Sequence, residues 1–316
     1  FCLEGPKVSR RGDYYYLTVA EGGTAGPATS HMVVSARAKS PLGPWENSPH
    51  NPVLRTMDAS EKWWSKGHAT IIDDVKGNWW MVFHGYEKDY YNMGRQTLLQ
   101  PIEWTKDGWF KMKDGIKTDG LITKPAGKTS QGTSTLSDSF TSTTLNTQWQ
   151  FYNEYDTSRF SAGKDGLTLK AKGNNAGDSA PLLCTPMHHS YRADVEVEIE
   201  GDATAGLVLF YNNRFYTGIT ADSKNINVIL RSWQFPTKPG VNKKHLFLRL
   251  EKKEQLADMY YSTDGKQWNR IENTLEVASY NHNALSEFLS LRLGLSAAGN
   301  GQVTFRNFTY TPIADK

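Results

Sequence analysis

The sequence predicts an all-β protein in two parts, a portion of a β-propeller followed by a jelly-roll β-sandwich. Three observations carry that expectation. An aromatic strand recurs: Gly12-Asp13-Tyr14-Tyr15-Tyr16-Leu17 is echoed at a 65-residue offset by Gly77-Asn78-Trp79-Trp80-Met81-Val82. A polar run, KPAGKTSQGTSTLS at 124–137, interrupts the β-rich pattern as a linker would. Beyond it come many short β-rich runs, and helix signals are almost absent throughout.

Each copy of the repeat is a turn, Gly-Asp or Gly-Asn, feeding an aromatic strand. Each leads to a second β-rich run, His31–Ala36 in the first copy and Gln96–Ile102 in the second. A β-rich unit of this length with one aromatic strand fits a propeller blade. Propellers close with roughly four to eight blades, and two blades would leave open strand edges. Further blades are therefore expected upstream of Phe1. Residues 1–125 are assigned to these blades and 126–137 to the linker. Residues 138–316 then form the sandwich. Its strands include Asp165–Leu169, Tyr191–Ile199 with clear period-2 alternation, His245–Leu250 and Gln302–Tyr310. A hairpin turn is expected at Ser262–Lys266, between Tyr260-Tyr261 and Trp268.

Composition narrows the functional classes. Lys and Arg number 36 against 33 Asp and Glu, too balanced for a nucleic-acid surface. No apolar stretch approaches the ~18 residues that span a membrane. Cys2 and Cys184 are far apart and fit neither a disulfide framework nor a zinc site. Aromatic residues make up 12%, which suits sheet cores and sugar binding alike.

An ordered series of motifs adds a family. Glu4-Gly5-Pro6, Tyr14–Leu17, Ala20–Thr24, His31, the run Ala36–Glu46, Asn51–Leu54, Gly67-His68-Ala69, Gly77–Trp80, Phe83-His84-Gly85 and Gly94–Thr97 resemble glycoside hydrolase family 43. The resemblance is to its β-xylosidase and α-L-arabinofuranosidase members, and it covers residues 1 to about 125 in order. A weaker one, through Ser137–Phe140, Trp149 and Gly206–Asn213, covers the second domain. It implies part of a five-bladed β-propeller followed by a jelly-roll (concanavalin A-like) sandwich.

The resemblance also implies chemistry. Inverting glycosidases set a general acid and a general base ~6.5–9.5 Å apart, leaving room for the attacking water. The Glu of Glu-Gly-Pro is the family's acid and maps onto Glu4. On residue type alone it would be one more Glu near a terminus. An apolar, partly buried pocket would suit it, because burial keeps a carboxyl protonated near neutral pH. The family's catalytic base and the Asp that tunes the acid have no counterpart here. Asp13, Asp58, Asp73 and Asp74 lie in or near turns and fit neither place, so both are expected upstream of Phe1.

His68 maps to a residue near the propeller axis, in some members close to a bound cation or its waters. A satisfied core histidine is the competing reading. Arg95 maps to an active-site Arg whose forked donors suit carboxylates and vicinal hydroxyls. His31 maps to the substrate pocket, with a structural role equally open. In the sandwich, Asp138 is placed as in modules that hold a structural Ca²⁺. Phe215, with Tyr211, Trp233 and Phe235, is a candidate contact to the active-site mouth or to sugar, against core packing.

These residues imply an exo-acting glycosidase that removes xylose or arabinose from plant hemicellulose. It would need no cofactor for the chemistry, act with an upstream propeller segment, and work extracellularly or in a periplasm. A non-catalytic or truncated carbohydrate-binding relative is the alternative, and a purely structural fragment a third.

Overall fold

The computed structural model describes residues 2–129, 135–153 and 155–314. The chain divides between 132 and 133 into two compact units, each with its own core. Residues 130–134 of the expected linker lie outside the described residues.

The first unit holds two antiparallel sheets. One runs β1 (Glu4–Arg11), β2 (Tyr14–Glu21), β3 (Met32–Ala38) and β4 (Glu46–Asn47), with β5 (Leu54–Arg55) also on β3. The other runs β6 (Trp63–Asp73), β7 (Trp79–Glu87), β8 (Arg95–Trp104) and β9 (Phe110–Met112). These up-and-down sheets are two consecutive propeller blades. Both aromatic runs of the repeat become the second strand of a blade, β2 and β7. The runs that follow become β3 and β8, with His31 one residue ahead of β3.

Local chemistry sets the hairpins. Gly12, at φ +58°, carries β1 into β2 at the pair Arg11 and Tyr14. At the matching turn the Asp74 carboxylate accepts the amides of Lys76 and Asn78 and the Asn78 side chain. Between the sheets lies a core of Tyr16, Val33, Ile71, Met81, Phe83 and Phe110, among others. Each large apolar side chain fully buried there contributes about 1.5–3 kcal/mol. Arg37 joins the two blades: its guanidinium lies 4.6 Å from the Tyr14 ring and 4.0 Å from the Trp109 ring, and donates to the Asp107 carbonyl.

The second unit is a strand-rich body. Its strands are β10 (Gln150–Phe151), β11 (Phe160–Gly163), β12 (Gly166–Lys170), β13 (Leu182–Cys184), β14 (Tyr191–Asn212), β15 (Phe215–Ala221), β16 (Asn225–Leu230), β17 (Trp233–Pro239), β18 (His245–Lys253), β19 (Leu256–Ser262), β20 (Asn269–Glu276) and β21 (Arg292–Pro312). Two of them, β14 and β21, are 22 and 21 residues long and pair with each other along their length. The first half of β14 pairs with β18 and its second half with β15. Both long strands bend where Gly201 faces Gly301, and Gly299 faces Ala203. An added Cβ at Gly301 would stand 2.1 Å from the Glu200 carbonyl, so the bend admits only glycine.

The alternation read at Tyr191–Ile199 is present: Ala193, Val195, Val197 and Ile199 are buried while the residues between them are half-buried. Past the bend every residue from Leu207 to Asn212 is buried, because both faces are covered. Tyr211 is core, its hydroxyl donating to the carbonyls of Ser286 and Glu287. Trp233 and Phe235 are not core: they are 73% and 49% exposed on β17. Among the described residues no helix is long and apolar enough to cross a membrane.

Candidate active site in the first unit

Four of the expected site residues come together where β1 meets β6. Glu4 opens β1, and its Oε1 stands 3.8 Å from His68 Nδ1 on β6. The strand holding His68 begins at Trp63 and is irregular around it. Register shifts fall between Trp64 and Gly67 and between Gly67 and Thr70. Ser65 and His68 sit at φ +51° and +53°, a left-handed conformation that non-glycine residues seldom hold within a strand.

His31 is fully buried, and its Nδ1 lies 2.6 Å from the Gly22 carbonyl, so that nitrogen carries the proton and donates. The ring stacks on His84, centroids 5.2 Å apart and planes 13° from parallel. His84 in turn lies 5.9 Å from the His68 ring. Arg95, exposed at the start of β8, is near enough for its charge to disfavour protonation of both His31 and His84.

Two glycines make the cluster possible. An added Cβ at Gly5 would stand 2.2 Å from His68 Nε2, and one at Gly67 would stand 2.1 Å from His31 Cδ2. The glycines of Glu4-Gly5-Pro6 and Gly67-His68-Ala69 are thus seats for imidazole rings.

Burial dominates the electrostatics. It holds the His31 pKa below the usual imidazole value, partly offset by the Gly22 carbonyl and Glu4 and reinforced by His68 and Arg95. For His84, burial followed by the charges of His31, Arg95 and His68 takes the pKa down to about 3. Both rings are therefore neutral at neutral pH. His31 Nε2 and both His84 ring nitrogens are buried without a protein partner, which points to a water, an ion or a sugar hydroxyl there.

His31, His68 and His84 each offer a ring nitrogen, all within 4.8 Å of one another, so they could hold a metal ion. Imidazole donors suit zinc, copper or nickel, whereas calcium seeks oxygen ligands.

Sequence reasoning missed His84, although Phe83-His84-Gly85 was among the family motifs. The available signal was a lone imidazole within the aromatic strand, directly across the ladder from Gly67. The apolar, partly buried pocket expected around Glu4 is not formed by the described residues, whose arrangement leaves that side chain 55% exposed.

Phe215 and Asp138 belong to the second unit. Phe215 opens β15, partly buried against the main core, beneath the Arg214 guanidinium. Asp138 is a hub of N–H donors: Oδ1 accepts from the Phe140 amide, and Oδ2 from Asn146 Nδ2 and Trp149 Nε1. Those bonds account for the buried carboxylate as a fastener of the sandwich's first turns.

Comparison with known proteins bears on family and fold. The family model of glycosyl hydrolases family 43 matches residues 1–110, and that of the β-xylosidase C-terminal concanavalin A-like domain matches residues 137–311. The non-reducing end α-L-arabinofuranosidase BoGH43B of Bacteroides ovatus is 35% identical over 175 residues, 54% of this chain and 32% of that protein. A xylosidase/arabinosidase of Butyrivibrio fibrisolvens is 26% identical over 99% of this chain and 64% of its own length. The crystal structure of the GH43 protein BlXynB of Bacillus licheniformis superposes with a TM-score of 0.88 at 26% identity, covering 98% of this chain and 65% of that one. The matched residues thus span between about a third and two thirds of the length of these relatives. Two blades carrying the ordered motifs, followed by a concanavalin A-like domain, place this chain in glycosyl hydrolase family 43.

Proposed function

We propose that the protein containing this chain is an exo-acting, inverting glycosidase that removes xylose or arabinose from plant hemicellulose. The observation that carries this reading is the meeting of Glu4 with His68, His31, His84 and Arg95 on two blades. Glu4 is the general acid, donating its proton to the oxygen of the departing sugar. Arg95 binds sugar hydroxyls or an acidic partner of Glu4, and the neutral imidazoles bind sugar hydroxyls or water. No metal is needed for these steps. A binding-only relative would have no use for an acid beside three imidazoles.

The catalytic base belongs, on this reading, to a segment that precedes residue 1. Two things support that. The relatives are longer than this chain. Leu3, just before β1, and Val8, within it, are 66% and 55% exposed, whereas Ala69 and Ile71 on β6 are buried. A neighbouring blade would cover β1. Hemicellulose is an extracellular polymer, so the enzyme works outside the cell or in a periplasm.

The test is Glu4→Gln in the complete enzyme. Pentosides with poor leaving groups should lose ~10²–10⁴-fold in rate, the usual worth of general acid catalysis. Aryl pentosides with acidic leaving groups should lose far less, because they depart with little protonation. Equal losses on both would remove Glu4 from the acid role.

A further inference from the structure

Lys66 sits between the two left-handed residues of β6, Ser65 and His68, and only 2% of it is exposed. Where β6 bulges, Ser65 and Lys66 leave the ladder to β7, since Trp64 pairs with Tyr86 and Gly67 already with His84. The freed backbone groups bond elsewhere. The Ser65 amide donates to the Ala28 carbonyl of the first blade, and the Lys66 amide to Thr56 Oγ1. The Lys66 ammonium reaches Glu61 Oε2 at 2.5 Å and Thr118 Oγ1 at 2.9 Å. Its stem passes over Gly85, where an added Cβ would come within 3.5 Å of Lys66 Cγ. On the next residue, Gly67 leaves the space that the His31 ring fills, and His68 follows, facing Glu4.

We propose that Lys66 is a positioning residue for the active site. Its ion pair, buried at the ammonium end, pins the bulge of β6, which sets the His68 ring beside Glu4 and, through Gly67, the His31 ring against His84. Stability alone is a poor reason to bury an ammonium, because desolvation cancels much of the attraction to its partner. A fixed register is what the pair supplies here. Glu61 and Thr118 lie on either side in sequence, before β6 and after β9, so the tether holds the bulge from outside its own strand. The role rests on reading this pocket as a glycosidase site.

The test has two arms. In this chain, imidazole resonances are followed by NMR for Lys66→Met, Glu61→Gln and Thr118→Val. The proposal expects the His31 and His68 signals to move in all three, most in Lys66→Met, while those of His188 and His245 in the sandwich stay in place. In the complete enzyme, Lys66→Met should lower kcat on pentosides by ~10- to 100-fold with KM little changed, as a small misplacement of catalytic groups does. If Lys66→Met fails to fold, Glu61→Gln and Thr118→Val still decide, since neither alters the strand itself. Unmoved His31 and His68 signals in those variants overturn the proposal, even where the melting temperature falls. A complete wild-type enzyme that cleaves no pentoside would instead overturn the functional reading, and the NMR arm would stand.

Discussion

The pocket is built from neutral, crowded imidazoles, and both properties have measurable consequences. His84 titrates near 6.5 in an unfolded chain but only at about 3 in the folded one. Between those values the unfolded state binds more protons, so stability rises with pH. The contribution is fully present above ~6.5 and is lost as pH falls toward 3, by up to ~1.4 kcal/mol per unit. His84→Phe keeps a flat ring and removes the proton site. With a chelator present to exclude metal effects, urea unfolding should show the variant losing less stability than wild type between pH 7 and pH 5. Equal losses would mean that His84 is not held neutral by burial.

Crowding gives a second expectation. Gly67→Ala should displace His31 and cost the complete enzyme ~10²-fold in kcat, whereas Gly163→Ala, whose added Cβ meets nothing within 4 Å, should cost nothing. A fully active Gly67→Ala would show that the His31 position is irrelevant. Glu4, His31, His68 and Arg95 were legible because they belong to an ordered series of motifs that resembles a family. The glycines' purpose was not, because which ring each one seats depends on a contact between two blades.

At the scale of elements, the hairpins were the easiest part to read. Gly12 and Asp74–Asn78 announce their turns through left-handed φ and side-chain-to-backbone bonds, which are local and leave residue-type signatures. The long strands were harder. Tyr191–Ile199 and Gln302–Tyr310 were each identified as a strand, but β14 and β21 continue past them. Glu200-Gly201-Asp202 and Gly299-Asn300-Gly301 look like turn residues, yet they lie within the ladder, Gly201 facing Gly301 and Asp202 facing Asn300. The glycines serve the close approach of two backbones there. Gly301→Ala should therefore destabilise the sandwich by about 1–3 kcal/mol, the cost of a strained backbone position, because its Cβ would meet the Glu200 carbonyl at 2.1 Å. Chemical denaturation checks this, and an unchanged midpoint would show that the bend relaxes freely. The exposure of Trp233 and Phe235 has the same lesson. An aromatic pair two residues apart reads as core from sequence, but β17 ends its path through the sheet, and both rings stay largely exposed there.

Across the whole chain, the two units differ in how complete they are as folding bodies. The sandwich core draws on strands from β10 to β21, and its ladder is continuous through β14 and β21. The blades share one core between two sheets, and β1 presents Val8 to solvent along a mostly exposed strand. Open strand edges and exposed apolar strand faces promote association between chains. Residues 133–316 expressed alone should therefore melt cooperatively, with a β-type circular dichroism spectrum matching that unit's share of the chain. Residues 1–132 alone should bind a hydrophobic dye and self-associate, and adding the preceding segment of the complete protein should suppress both. Size-exclusion chromatography and thermal melting separate the outcomes. A monomeric, cooperatively melting 1–132 would show that two blades suffice for a stable body, and the case for a covering blade on β1 would fall with it.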